Sequence, residues 1–174
     1  TILALHGGGI EPATTELAYT IAHCGDYNYF SFKGMRSKGN NELHVTSTHY
    51  DDQIALDLVR GSQRTVAIHG CEGNESVAYI GGSDDRLIEL ITESLEDIGI
   101  SVREAPHHIS GTQENNIVNM TQTQGGVQLE LTAQLRKELF KNRKSSRKNR
   151  ENKDNWDDLM YDFADAMKKA IERA

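Results

Sequence analysis

Cysteine is nearly absent: Cys24 and Cys71 are the only two in 174 residues, too few for a disulfide scaffold or a Cys-based zinc finger. Proline is as rare, at two residues, and the 15 glycines are scattered, which excludes a collagen-like repeat or a Gly-rich disordered chain. No stretch reaches the roughly 18 consecutive apolar residues of a membrane-spanning helix, so no membrane partner is expected. No basic and then apolar leader opens the chain. Thr1 stands directly inside an apolar run, as expected of a chain that has lost a short native N-terminus. Nucleotide signatures are missing too: there is neither G-x-G-x-x-G nor the Gly-Lys-Ser/Thr end of a P-loop, and Glu11 would repel a phosphate beside the glycine run. The Gly-x-Ser-x-Gly elbow of serine hydrolases does not occur.

What is present suits one domain spanning residues 1–174, with 37% hydrophobic residues available for a single core. The net charge of -7 is unevenly spread. Between Arg136 and Lys153 stand nine basic residues against two acidic ones, a local balance of +7 that leaves -14 for the remainder. Such a run is either a solvated face or a polyanion contact. Because it lies beyond every motif that builds a site, it is expected to serve substrate capture rather than chemistry.

Short apolar runs at residues 1–5, 64–68, 77–80 and 100–102, the aromatic run 27–32 and the alternating run 127–131 predict strands, and 43–48 is a further β-prone stretch. Helical spacing predicts helices over 13–22, from Asp51-Asp52 to about 59, over 84–98 and 133–140, and over about 156–170. Strands alternating with helices predict an α/β fold: a single-domain, mixed but mostly parallel open sheet flanked by helices. Ligands of such sheets bind beyond the carboxyl ends of the strands.

Two strands end alike, in Leu5-His6-Gly7 and Ile68-His69-Gly70. Glu11 follows the first across a glycine loop able to turn sharply. Two imidazoles and a carboxylate make the His6, Glu11, His69 set of a catalytic zinc site whose fourth position is open to water. Glu130 lies on the polar face of a strand that is otherwise Val127, Leu129 and Leu131, and is the candidate general base. His44 and His49 compete as ligands, His49 the more strongly. His107 and His108 are adjacent, point to opposite sides of an extended chain and are poor joint ligands.

The runs Leu5-His6-Gly7-Gly8-Gly9-Ile10-Glu11, Ala67-Ile68-His69-Gly70, Asn115-Asn116-Ile117-Val118-Asn119 and Gly126-Val127-Gln128-Leu129-Glu130-Leu131 together resemble the poly-γ-glutamate hydrolase family of phages and Bacillus. The resemblance covers the chain to about Arg136. It implies a zinc peptidase with a carboxypeptidase-like core that cuts γ-glutamyl amide links of capsule polymer, holding one zinc ion on His6, Glu11 and His69 with Glu130 as general base. The carboxylate stands five residues after the first histidine, where the wider carboxypeptidase group commonly has three, and the glycines must absorb the difference.

Each unit of the implied polymer carries a free carboxylate, which calls for cations or amide donors. Lys33, Arg36 and Lys38 beside Gly34 and Gly39, Arg86 at the start of a helix, and Asn116 and Asn119 are the candidate substrate-binding residues. A monomer is expected, acting on extracellular capsule after release by lysis. Two other readings stay open: a zinc amidase or carboxypeptidase acting on peptidoglycan or acylated amino acids, and a non-enzymatic polyanion-binding module. Nucleic acid is disfavoured by the acidic whole.

Overall fold

The computed structural model describes residues 1–174. Six strands, β1 (Ile2–Gly8), β2 (Tyr29–Gly34), β3 (Val66–Cys71), β4 (Val77–Gly82), β5 (Ser101–Glu104) and β6 (Val127–Thr132), form one sheet in the order β2-β1-β3-β6-β4-β5. β2, β1, β3 and β6 run parallel to one another. β4 lies antiparallel to β6 and parallel to β5. The mixed, mostly parallel open sheet is the one expected, and the chain is a single domain built around it.

Helices α1 (Thr14–Gly25), α2 (Gln53–Arg60) and α3 (Asp85–Glu96) join successive strands, and α4 (Ala133–Glu138), α5 (Arg147–Arg150) and α6 (Asp158–Arg173) follow β6. Asp52, Asp84 and Asp157 start three of them by accepting a backbone N–H of the first turn, which satisfies a donor the helix itself cannot. The central strands are buried on both faces, as parallel strands must be. One face carries Ile2, Ala4, Val66, Ile68, Leu129 and Leu131 against α1, α3 and α6. The other carries Leu3, Leu5 and Ala67 against Tyr50, Val59, Ile117 and Val118, leaving that side to α2 and long loops.

One expected strand does not form. Residues 43–48 lie in a loop with two short 3-10 turns, Asn40–Leu43 and Ser47–His49. Val45 is 41% exposed and Ser47 is the buried residue of the stretch, so the alternation there buries no apolar face, and the amides of His44 and His49 are satisfied locally by Asn41 and Thr46.

A β-bulge in β1 decides which way His6 faces. Ala4 pairs with Ser31 and Gly7 with Lys33, so β1 holds one more residue than β2 across this interval. In an unbroken strand His6 would follow Ile2 and Ala4 onto the face packed by α1. The extra residue instead turns His6 to the opposite face, where Leu3 and Leu5 already lie and where His69 points from β3.

Candidate metal centre

His6 and His69 end neighbouring parallel strands and are both 2% exposed. Their Nδ1 atoms stand 3.1 Å apart. Glu11 reaches the same point because its loop folds back: the Glu11 N–H donates to the His6 carbonyl at 2.8 Å and the Ile10 N–H to the Gly7 carbonyl at 3.3 Å. Gly8 has a φ of 65° within this turn, and a Cβ there would lie 2.6 Å from the Gly34 carbonyl oxygen, so only glycine fits. These turns absorb the five-residue spacing between His6 and Glu11.

The Glu11 carboxylate is met from several sides. Oε1 lies 3.0 Å from His6 Nδ1, Oε2 lies 3.6 Å from His69 Nδ1, and Oε2 accepts the Gly70 N–H at 2.9 Å. Burial pushes its pKa up, yet hydrogen bonds from His44, His6 and His69 outweigh this and hold it well below the ordinary carboxylate range. His69 is shifted the other way. Burial opposes its charge, but Glu11 and then Glu130 raise its pKa on balance.

The donor set fits a small divalent ion. Donors about 2.0–2.1 Å from a tetrahedral zinc lie roughly 3.3 Å from one another, close to the separations of His6, Glu11 and His69. His6 Nε2 is engaged by the Val45 carbonyl at 2.7 Å, so Nδ1, which meets Glu11 at 3.0 Å, is the nitrogen the ring would offer to an ion bound in the cluster. His69 Nε2 is buried with no partner, so the polar contacts of that ring are those its Nδ1 makes with His6 and Glu11 inside the cluster.

The rival histidine is His44 rather than His49. His44 Nε2 is 3.4 Å from Glu11 Oε1, its ring stacks on His6 at 3.7 Å, and His6, Glu11 and His44 also form a metal-competent trio. His49 does not line the pocket. His44 had no strong sequence signal, because its loop has the composition of a strand. Its side chain is 43% exposed, which places it at the mouth of the site, whereas His69 is fixed inside on a central strand.

Glu130 pairs in register with His69 and is 7% exposed. Gln128, two residues earlier on the same face, donates to Glu130 Oε1 at 2.9 Å and accepts from Asn116 Nδ2 at 3.1 Å. Burial raises the Glu130 pKa, with the Glu11 charge adding and His69 opposing. The alternation of β6 accounts for this placement: Val127, Leu129 and Leu131 face the helical layer, and Gln128 and Glu130 face the centre.

These residues open into a pocket of about 330 Å³ whose walls include Thr46, Thr48, His108 and Gln113 and hold no lysine or arginine. The candidate substrate residues are therefore dispersed. Lys33 and Arg36 line a separate groove on the other side of the Gly8-Gly9 loop. Arg86 is exposed on α3 and paired with Glu89 at 2.7 Å. Asn116 lines the pocket but also accepts the Val118 N–H. Asn119 lies outside it, donating to the Gly111 and Gln113 carbonyls and accepting from the Ser83 hydroxyl.

The basic segment is not uniformly solvated, and one member belongs to the centre's frame. Arg136 is 9% exposed. Its Nε donates to the Leu131 carbonyl at 3.1 Å, one terminal nitrogen to Pro12 at 2.9 Å and the other to Cys71 at 3.1 Å. These carbonyls flank Glu130, Glu11 and His69. A Cβ on Gly70 would sit 2.7 Å from the guanidinium carbon, so that glycine makes room for it.

The family model of poly-gamma-glutamate hydrolase matches residues 1–166. The chain belongs to this family. The bacteriophage poly-gamma-glutamate hydrolase structure is similar at a TM-score of 0.94 and 33% identity, covering 99% of this chain and 82% of that one. YndL of Bacillus subtilis (strain 168), solved in a zinc-free apo form, is similar at a TM-score of 0.90 and 31% identity, covering 98% and 83%. The SPbeta prophage-derived protein YoqZ of the same organism is 39% identical over 141 residues, 80% of this chain and 51% of YoqZ. The chain thus spans about half the length of the curated relatives YoqZ and YndL.

Proposed function

We propose that this family member is a zinc-dependent hydrolase that cleaves the γ-glutamyl amide bonds of poly-γ-glutamate, meeting the polymer outside the cell. The observation that carries the reading is the convergence of His6, Glu11 and His69 at the carboxyl ends of β1 and β3, with Glu130 beside His69 in register. His6 Nδ1, Glu11 and His69 Nδ1 would hold one zinc ion, with the more exposed His44 facing substrate at the mouth. A zinc ion held there supplies a Lewis acid for the scissile carbonyl and makes water acidic enough to attack.

Glu130 takes the proton of the attacking water and returns it to the leaving nitrogen, which separates as a free amine. Burial suits Glu130 to both tasks, since a carboxylate whose pKa is raised holds the abstracted proton more firmly and still releases it to an amine. Gln128 fixes which carboxylate oxygen remains free, because Oε1 already accepts its amide. The walls beside the centre recognise substrate through hydroxyls, amides and imidazoles rather than through fixed cations.

The test combines metal content and turnover on one preparation. The purified chain is expected to hold one zinc per molecule, to lose activity on poly-γ-glutamate to a chelator and to regain it with zinc. Glu130→Gln is expected to lower kcat by roughly 100-fold or more while keeping its zinc. Turnover of muropeptides in place of poly-γ-glutamate, or near-normal turnover by zinc-loaded Glu130→Gln, would overturn the reading of the substrate or of the base respectively.

A further inference from the structure

Although the protein as a whole is acidic, cations gather beside the Gly8-Gly9 loop. A groove of about 480 Å³ runs past Lys33, Arg36, Arg147 and Arg150. It continues into a second hollow of about 260 Å³ that shares Lys33 and Arg150 and adds Lys153, between Tyr19 and Trp156. Against these five cations the two linings contain only the carboxylates Glu16 and Glu151.

The groove is built from distant segments. Arg147 donates to the Met35 carbonyl at 3.3 Å while its Nε bonds Glu151 at 2.7 Å. Arg150, with a side chain 7% exposed, donates to the Ser145 and Gly8 carbonyls and pairs with Glu16 at 3.3 Å. The basic segment is thereby fastened to β1 and to the end of β2. Lys33 and Lys153 are exposed and enter no ion pair. The Lys153 ammonium stands 4.6 Å from the centre of the Tyr19 ring and 5.5 Å from that of Trp156, which steers a charge without neutralising it.

The groove adjoins the metal centre without being part of it. Gly8 and Gly9, which line it, lead within two residues to Glu11. Asn40 lines the groove, and His44, at the end of the same loop, lines the pocket. We infer that this groove binds a stretch of poly-γ-glutamate remote from the bond being cut, meeting its carboxylates with Lys33, Arg147 and Lys153 and supplying the cations that the metal pocket lacks. The inference rests on the substrate reading above and adds where the polymer runs. Successive carboxylates of an extended γ-linked chain recur about every 6 Å, so a single charged unit cannot occupy both places and a long chain can. Interspersed carboxylates and the acidic whole argue against a nucleic acid as occupant.

The decisive comparison uses two triple variants of the zinc-loaded full chain with the same change of charge. One is Lys33→Gln, Arg147→Gln, Lys153→Gln, within the groove. The other is Arg143→Gln, Lys144→Gln, Lys148→Gln, on the same segment but outside it. Binding of end-labelled long poly-γ-glutamate is read by fluorescence anisotropy, and kcat/KM is measured on long polymer and on a three-unit oligomer. The groove variant is expected to bind long polymer about tenfold more weakly and to lose about tenfold in kcat/KM on it, chiefly through KM, with a much smaller loss on the oligomer. The outside variant is expected to stay within twofold of the parent. Equal losses by both variants, equal losses on both substrates, or displacement of the polymer by single-stranded DNA at matched charge would overturn the groove. If the parent cleaves no γ-glutamyl substrate, the substrate reading fails on turnover while the anisotropy still judges the groove.

Discussion

Replacing Arg136 by lysine keeps a positive charge in place and removes the planar fork that uses it. In the native chain the guanidinium gives separate nitrogens to the carbonyls of Leu131, Pro12 and Cys71. An ammonium concentrates its donors at one atom and reaches one of these carbonyls well, so two buried acceptors lose a charged donor. At about 1.5 kcal/mol for each such bond, the lower end of the range, the loss is roughly 3 kcal/mol. For a domain of this size that corresponds to a fall in Tm of about 6–12 °C. Because Pro12 follows Glu11 and Cys71 stands two residues after His69, the segments carrying both proposed ligands loosen together, and zinc affinity is expected to drop by about 10- to 100-fold, as for other outer-shell changes. Thermal unfolding in chelator isolates the first effect, and competition with a chromophoric chelator measures the second. A lysine variant with Tm within 2 °C of the parent and unchanged zinc affinity would refute both the bond count and the role as a positioning residue.

Two further outcomes separate the roles within the centre. His69→Ala is expected to abolish tight zinc binding, whereas His44→Ala keeps stoichiometric metal and loses mainly turnover; the reverse pattern by metal analysis would make His44 the third ligand. Gln128→Leu removes a donor that favours the ionised form of Glu130, so the Glu130 pKa rises. Since a general base works only when ionised, the acidic limb of the kcat/KM profile is expected to move to higher pH, and a fixed limb would show that Gln128 does not tune the base.

The parts of the centre that strands place were legible in the sequence, and the parts that packing places were not. His6 and His69 announce themselves because an apolar run that stops at a histidine and a glycine is a strand end, and a parallel sheet gathers such ends on one side. That Glu130 faces away from Val127, Leu129 and Leu131 was readable from period-two alternation, and the neighbouring His6, Glu11 and His69 set singled it out. His44 was obscured because Leu43, Val45 and Thr46 have strand-like composition, and only the lack of a pairing partner makes that stretch a loop. Arg136 and Arg150 counted as surface charge until their partners were visible. Arg136 meets Pro12 across 124 residues and Arg150 meets Gly8 across 142, a kind of relation that charge patterning along the chain does not encode.

The bulge in β1 makes the centre sensitive to the length of the strand as well as to its side chains. Deleting one residue between Ala4 and Gly7 would let β1 pair with β2 without interruption, leaving a single residue opposite Phe32 where Leu5 and His6 now share one face. The result would be a more regular sheet that lacks either the buried Leu5 or the imidazole of His6, because an alternating strand offers that face one position there and not two. Regularity and the geometry of the centre are therefore opposed at this point of the chain. Keeping both the buried Leu5 and the histidine on that face requires keeping the irregularity that seats them side by side.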